Sequence, residues 1–204
     1  MTGIFTENQA KQLLGPHHDA LYTCVTNAFA RWAKHGMKLV SRPDAGFRSH
    51  LMQQFMVDEA RKRFGNVPGV QIFERKNDDD EPNAGRFLVS FDDQVLVQFK
   101  KFDPDFKTRN YPTPAAIRFD GQESLPNIPG GTRLSVGYQL DATGFDLASV
   151  AVVCQGLYRP NWWYELEDPS GRIAILPPAE PLRPAQVRAK EQLDLVFDKG
   201  KEKG

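Results

Sequence analysis

The stretch that decides the fold is residues 51–73, LMQQFMVDEARKRFGNVPGVQIF, because the spacing of its apolar residues changes within it. As far as Phe64 the apolar side chains recur every three or four residues, which predicts a helix with one buried face. Beyond Gly65 the apolar positions Val70 and Ile72 flank a polar residue, and this alternation predicts a strand. The change predicts helices before Gly65 and a sheet after it.

Helical spacing also occurs in the first 50 residues. Thr6, with Gln9 three residues later, has the pattern of a capping box and predicts a short first helix that ends at Gly15-Pro16. A second helix is predicted from Pro16 or His17 to Lys34, because its apolar residues form one stripe. The third helix is predicted from Phe47 to Phe64.

Alternating apolar residues occupy most of residues 66–180. Phe87 to Phe91 and Val95 to Phe99 alternate on either side of Asp92-Asp93, which predicts a β-hairpin. Leu147 to Cys154 is almost entirely apolar and is expected to be an interior strand covered on both faces. Three further strands are predicted, at residues 133–140, 161–166 and 172–176.

Two segments between the predicted strands lack this alternation. Asn77 to Gly85 is rich in acidic residues and is expected to be a solvated loop. Asp103 to Gly131 is rich in Pro and Gly, and it is expected to be a long ordered excursion with at most a short strand at Ala116 to Phe119. Loops of this length in compact domains often carry function, so this segment is a place to look for a site.

These elements predict one α+β domain over residues 1–198. Its helical part is residues 1–65 and its sheet part is residues 66–180. A C-terminal helix is predicted over residues 184–198, since Pro184 suits a first helical turn. Residues 199–204 are expected to be a frayed tail. In the predicted fold, the N-terminal helices and the C-terminal helix pack on a mostly antiparallel sheet.

The composition narrows the classes of function. The 26 basic and 26 acidic side chains cancel, which argues against a protein whose whole surface binds nucleic acid. Cys24 and Cys154 have apolar neighbours and are expected to be buried thiols. The sequence shows neither a signal-peptide pattern nor an apolar run of membrane length, so a cytoplasmic location and no membrane partner are predicted. The histidines lack metal-ligand spacing, so no metal and no cofactor are predicted.

Basic and aromatic residues interleave in the segment Phe99–Tyr111. Lysine and arginine neutralise phosphates and an aromatic ring can stack on a base, which favours nucleic acid. Tyrosine and arginine also anchor protein interfaces, which favours a protein partner. A third interpretation is that the Phe residues cover the core while the charges stay solvated. The candidate partner-binding residues here are Lys100, Lys101, Lys107, Arg109 and Tyr111.

The densest aromatic cluster of the sequence follows Arg159, another candidate partner-binding residue. Trp162, Trp163 and Tyr164 are consecutive within a predicted strand. Because side chains alternate along a strand, Trp162 and Tyr164 are expected on one side of the sheet and Trp163 on the other. One side is expected to join the core. We therefore treat Trp162 and Trp163 as candidate partner-binding residues, since an exposed tryptophan marks an interface.

A small set of acidic and basic residues loosely resembles metal-dependent nucleases of the PD-(D/E)xK class. Glu59 lies in a predicted helix, Asp92 and Asp93 lie at the predicted hairpin turn, and Gln98-Phe99-Lys100 lies on the next strand. In such enzymes the carboxylates hold a divalent ion and the lysine steadies the attacking water. Here Gln98 replaces the acid and its spacing from Asp93 is short, so the alternative interpretation is solvated turn aspartates and a strand-edge lysine.

A second resemblance covers the later strands. Arg133 to Asp141, followed by Val150 to Cys154, resembles a family of uncharacterised bacterial and prophage proteins that are often encoded beside helix-turn-helix regulators. This resemblance implies a mobile-element setting, either a toxin–antitoxin pair or phage defence, and supplies no catalytic residues. The predicted function is a non-enzymatic protein that binds a partner protein. The alternative is an enzyme acting on nucleic acid through Asp92, Asp93 and Lys100.

Overall fold

A computed structural model gives the structure of residues 4–36, 45–76, 82–108, 114–122 and 131–170. The helices are α1 (Glu7–Leu14), α2 (His18–Arg31), α3 (Ala45–Phe64) and α4 (Pro114–Asp120). The strands are β1 (Val70–Lys76), β2 (Pro82–Phe91), β3 (Val95–Lys101), β4 (Thr132–Leu140), β5 (Leu147–Cys154) and β6 (Trp162–Glu165). The predicted α+β class is confirmed.

The N-terminal helices begin and end close to the predicted positions. The predicted capping box is present, because the Thr6 hydroxyl accepts from the Gln9 backbone and the Gln9 side chain accepts from the Thr6 backbone. A 3₁₀ turn, Gly15–His17, then joins α1 to α2, and a π-helical turn, Trp32–Gly36, extends α2. The two predicted helices therefore follow each other without a break, joined by one 3₁₀ turn.

The six strands form one sheet in sequence order, β1-β2-β3-β4-β5-β6. Every neighbouring pair is antiparallel except β3 and β4, which run parallel with Val97 beside Leu134. The mostly antiparallel sheet predicted from the sequence is confirmed. The parallel pair was not predicted, and it requires the chain between Lys101 and Thr132 to cross over one face of the sheet.

The predicted hairpin between β2 and β3 is confirmed. Asp92 and Asp93 have φ values of 49° and 55°, and Gln94 N donates to Phe91 O across the turn. Positive φ at both central residues is the type I′ geometry that matches the twist of paired strands. Aspartate tolerates this conformation because its short polar side chain can hydrogen-bond locally.

Two sequence predictions between the strands were wrong. Residues 116–119 are not a strand, because they lie in helix α4. Pro114 is the first residue of this helix, where its fixed φ and missing N–H cost nothing. The predicted acidic loop was too long at its C-terminal end, since β2 already begins at Pro82.

The main core lies between α1, α2, α3 and one face of the sheet, here called the helix-packed face. This face presents Phe87, Val89, Phe91, Val95, Val97, Phe99, Leu134, Val136, Tyr138, Val150, Val152 and Tyr164. The remaining strand residues point to the opposite face, where Phe102 and Phe106 pack on Ala151 and Val153 as a second, small cluster. The predicted strand at residues 147–154 is confirmed, and it is covered on both faces over residues 150–154, whereas Ala148 is exposed. Cys24 and Cys154 are buried free thiols, as predicted.

Three predictions fall outside the described residues: the strand at residues 172–176, the C-terminal helix at 184–198 and the tail at 199–204. The elements above all belong to one compact unit, residues 1–172. The single domain over residues 1–198 therefore remains a prediction.

Candidate protein-binding surface

The opposite face of the sheet is the polar one. Gln98 and Lys100 in β3 point to this face, because Val97 and Phe99 beside them point into the main core. In β4 the same alternation places Arg133 and Ser135 there, and both are buried. Gln98 Nε2 donates to Ser135 Oγ across the parallel pair at 3.0 Å. Polar side chains with potential for chemistry therefore collect on one side of the sheet.

A short loop after β3 covers part of this face. The loop folds back on itself, since Phe102 bridges to Thr108 and the Asp103 carboxylate accepts from the backbone of Asp105 and Lys107. This fold directs the Phe106 ring into the small cluster on β5. The crossover begins as a compact, hydrogen-bonded loop.

Helix α4 covers the next part of the same face. The Arg133 guanidinium donates to Arg118 O at 2.8 Å and lies 5.7 Å from the centre of the Phe119 ring. The Gln122 amide accepts from Arg133 N at 2.7 Å and donates to Arg133 O at 2.8 Å. These hydrogen bonds join the C-terminal end of α4 to Arg133 of β4, so the covering helix has a fixed position.

Lys100 is half-buried beneath this cover. Burial lowers the pKa of the Lys100 ammonium below its ordinary value, and the Asp120 carboxylate of α4 acts in the opposite direction. A lysine that keeps its charge in such a position is costly for folding. Lys100 is therefore placed between the sheet and α4 and does not stand as an open surface charge.

The nuclease-like residues do not come together. Asp92 and Asp93 lie at the turn before β3, whereas Lys100 lies five residues beyond Val95, about 17 Å along the strand. Asp92 N bonds Gly69 O, and the Asp93 carboxylate accepts from Ser90, so both aspartates contribute to the turn structure.

The third acidic residue of the nuclease-like set is on the helix-packed side of the sheet. Glu59 lies on α3, where it is buried and pairs with Arg63 and Lys62 and accepts from Asn27. Among the described residues, no group of three His, Cys, Asp or Glu side chains is placed to hold a metal ion. The carboxylates of Asp93 and Glu59 thus have separate structural partners, and Asp92 is held in the turn through its backbone.

The two tryptophans of β6 point to different faces, as the alternation predicts. The Trp162 indole donates to Phe5 O at 2.8 Å and packs against the main core. Trp163 lies on the opposite face, where its ring stacks on Phe106 with centroids 3.9 Å apart and planes 19° apart. Trp163 is 44% exposed, so the stack presents one aromatic ring to solvent above a buried one.

The loop between β5 and β6 is held firmly at its base. Asn161 N donates to Cys154 O at 2.8 Å, and the Asn161 amide donates to Gln155 O at 3.3 Å. The buried Gln155 side chain donates to Phe106 O at 2.9 Å, which joins the loop to the crossover segment. A Cβ at Gly156 would lie only 2.6 Å from the carbonyl oxygen of Arg159, so the loop is tight as well as closed.

Apolar residues occupy the tip of this anchored loop. Leu157 is 59% exposed and Tyr158 is 88% exposed. Leu157 also lies against Gly121, whose N–H bonds the carbonyl of Ile117 in α4. The loop tip, α4 and the ring of Trp163 therefore lie on one side of the sheet. We call this set the apolar surface; it comprises Ile117, Leu157, Tyr158 and Trp163.

The structure separates the partner-binding residues predicted from the sequence. Trp163 belongs to the apolar surface, and Arg159 is exposed beside Tyr158. Lys101 and Lys107 are half-buried, and each adjoins a Phe of the small cluster in the sequence. Lys100 lies under α4, and Trp162 lies on the helix-packed face. Arg109 and Tyr111 lie outside the described residues.

Sequence reasoning missed three of the four members of the apolar surface. Leu157 and Tyr158 follow Gly156 in a connection between two predicted strands, and apolar residues in such a connection are a usable signal. Ile117 was missed because the sequence predicts a strand at residues 116–119, where the structure has helix α4. Their joint exposure depends on tertiary contacts that local patterns do not encode.

Comparison with protein-family models, curated proteins and solved structures finds no match to this chain. The family resemblances drawn from the sequence therefore remain predictions. Within the described residues, no helix has the length and apolar character needed to cross a membrane. The proposed function therefore rests on the side chains of the apolar surface.

Proposed function

We propose that this chain is a non-enzymatic interaction protein that binds a partner protein through the apolar surface. The observation that carries this proposal is the exposure of Leu157 and Tyr158 at the tip of a loop whose base is fixed by buried hydrogen bonds. Single exposed apolar residues are ordinary on protein surfaces, whereas a group of them marks a binding site.

The composition of the surface favours a protein partner over nucleic acid. Tryptophan and tyrosine are the residues most enriched in interface hot spots. Ile117 and Leu157 add aliphatic area, which suits a packed protein interface and contributes little to the stacking of bases. The fixed loop base also reduces the entropy lost on binding. A preorganised aromatic and aliphatic surface is the property that a partner-binding protein needs.

The resemblance of the later strands suggests the biological setting. A partner encoded in the same bacterial mobile element, as in toxin–antitoxin or phage-defence modules, is part of this proposal. The identity of the genes beside the natural gene tests that part, and genes unrelated to mobile elements would remove it. The binding proposal stands independently of the setting.

Matched variants test the binding proposal. Tagged wild type, Tyr158→Ser and Phe145→Ser are purified from the natural host with and without nuclease treatment. Phe145 is a suitable control because it is 69% exposed in the turn before β5, at the other end of that strand from Tyr158. We expect a co-purifying protein with wild type and Phe145→Ser and its loss with Tyr158→Ser, since removal of a hot spot costs about 2 kcal/mol or more, ~30-fold in affinity.

Two outcomes of this experiment would contradict the proposal. Recovery of the same proteins by all three forms would show that the apolar surface is not used. Loss of the co-purifying material on nuclease treatment would show that nucleic acid, and not a protein contact, holds it.

The alternative function, an enzyme acting on nucleic acid, retains one supporting observation. Lys100 has a lowered pKa beside Asp120, and perturbed basic groups occur often at catalytic sites. The test is incubation of the purified protein with plasmid or RNA and Mg²⁺ or Mn²⁺. An enzyme of this kind predicts cleavage that Lys100→Ala abolishes and Lys107→Ala preserves. Absence of cleavage, or cleavage unchanged by Lys100→Ala, would remove the alternative.

A further inference from the structure

Basic residues adjoin two members of the apolar surface in the sequence. Arg118 follows Ile117 in α4, and Arg159 follows Tyr158 at the loop tip; both side chains are exposed. The end of the surface nearest the loop tip therefore has a basic margin.

Acidic residues lie toward the other end of the same surface. Glu165 is exposed on β6 two residues after Trp163, about 7 Å further along the strand and on the same face. The loop that contains Asp103, Asp105 and Lys107 is fixed at this end as well, because Gln139 donates to Asp103 O at 2.6 Å; its two carboxylates outnumber its one lysine. The charge along the surface thus changes from basic at the loop tip to acidic beyond Trp163.

From this gradient we infer that the partner presents an amphipathic segment with apolar residues and acidic side chains, and that the acidic side chains meet Arg159 and Arg118. This inference deepens the proposed function and rests on it. Exposed ion pairs at the margin of an interface add little affinity, but they select the partner and fix its orientation. The apolar surface supplies affinity, and the charge gradient determines which apolar segments bind and in which direction.

A random peptide display library tests the inference without knowledge of the natural partner. The library is selected on the immobilised wild-type chain and depleted on Tyr158→Ser, so that the retained peptides depend on the apolar surface. We expect these peptides to combine large apolar residues with aspartate or glutamate. Peptides with no acidic enrichment, or with basic enrichment, would overturn the inference.

Charge-reversal variants test the direction of the gradient with a single selected peptide. Arg159→Glu should weaken binding about two- to fivefold, the range of an exposed ion pair. Glu165→Lys, the matched reversal at the other end, should leave binding equal or stronger. Added salt should weaken binding to wild type and have a smaller effect on Arg159→Glu. Equal weakening by both reversals would overturn the inference. Both side chains are exposed, and a thermal melt of each variant checks that it folds.

Failure of the inference and failure of the proposed function give different results. Peptides that need Tyr158 but ignore Arg159 would overturn the charge inference and leave the binding surface in place. A selection that yields no peptide dependent on Tyr158 would overturn both. Peptides that need both Tyr158 and Arg159 and contain acidic residues would support both.

Discussion

The two faces of the sheet differ in what their side chains do. The helix-packed face is closed by aliphatic and aromatic residues, as Val97 and Phe99 show in β3. The opposite face holds Gln98 and Lys100 from the same strand, and it is covered by a loop and a short helix fixed by side-chain hydrogen bonds. Neighbouring residues of one strand thus serve different purposes. Those on the helix-packed face stabilise the core, and those on the opposite face support the segments that form the apolar surface.

This difference teaches where function can reside in the chain. A closed apolar core has no free polar groups with which to recognise a partner, and changes there act through stability. The opposite face ends in the anchored loop with Leu157 and Tyr158, where a side chain can change without disturbing the core. The comparison predicts that substitutions on the two faces have effects of different size and kind.

The largest expected effect is on the helix-packed face. Phe99→Ala should lower the free energy of unfolding by about 3–5 kcal/mol, because it leaves a cavity in the main core. Gln98→Ala, the adjacent residue on the opposite face, should cost about 1 kcal/mol for the lost hydrogen bond to Ser135. Urea denaturation measures both. Equal losses would break the distinction between the faces.

The next effect concerns the anchor of the loop. Gln155→Ala removes a buried donor to Phe106 O and should destabilise the chain by about 1–3 kcal/mol. It should also weaken partner binding, because the loop tip loses its fixed base. Gln12→Ala, an exposed glutamine on α1, is the control and should change stability by no more than about 0.5 kcal/mol. A Gln155→Ala chain with wild-type stability and binding would show that the anchor is unimportant.

A smaller effect is expected from Lys100 at alkaline pH. Burial lowers the pKa of Lys100 in the folded chain, so the folded state binds fewer protons than the unfolded state. The buried charge of Lys100 destabilises the folded chain fully at pH values below the folded pKa. This destabilisation fades as the pH rises toward the ordinary pKa of lysine. Stability should therefore rise with alkaline pH in wild type relative to Lys100→Met. Parallel stability curves for the two forms would contradict this, and Lys107→Met controls for the loss of one lysine.

The smallest effect is expected from His18, on the helix side. His18 Nε2 lies 3.0 Å from Tyr164 Oη, and burial lowers the pKa of its imidazole. Asp19 acts against this shift, and Lys11 and His17 reinforce it. The protonated His18 imidazole destabilises the folded chain at pH values below its folded pKa, and this effect is absent above the ordinary pKa of histidine. Wild type should therefore lose stability as the pH falls between these two values.

A glutamine at this position tests the histidine effect directly. His18→Gln keeps a side chain that can hydrogen-bond Tyr164 but does not titrate. Its loss of stability on acidification should be smaller than that of wild type, as measured by thermal melts across the acidic range. An identical acid dependence would show that His18 does not contribute.

Parts of the fold that depend on local spacing could be predicted from the sequence. Thr6 and Gln9 define the start of α1 because a capping box needs only neighbouring residues. The alternation of β6 placed Trp162 and Trp163 on different faces because strand periodicity is fixed by the backbone. In these cases the physical cause lies within a few residues of the pattern.

Parts that depend on distant contacts could not be predicted. The parallel pairing of β3 with β4 follows from a crossover whose path is set by Arg133 and Gln122, far from β3 in sequence. The exposure of Tyr158 follows from how its loop is closed by Asn161. The separation of Lys100 from Trp163 likewise required the three-dimensional arrangement of both faces.

Site-specific photocrosslinking in the natural host tests the central claim most directly. A photoactivatable phenylalanine analogue replaces Tyr158 in one variant and Phe145 in the other, since these exposed aromatic residues lie at opposite ends of β5. We predict a covalent adduct with a partner protein at position 158 and none at position 145. No protein adduct at position 158, or the same adducts at both positions, would contradict the claim that the anchored loop and Trp163 present a protein-binding surface.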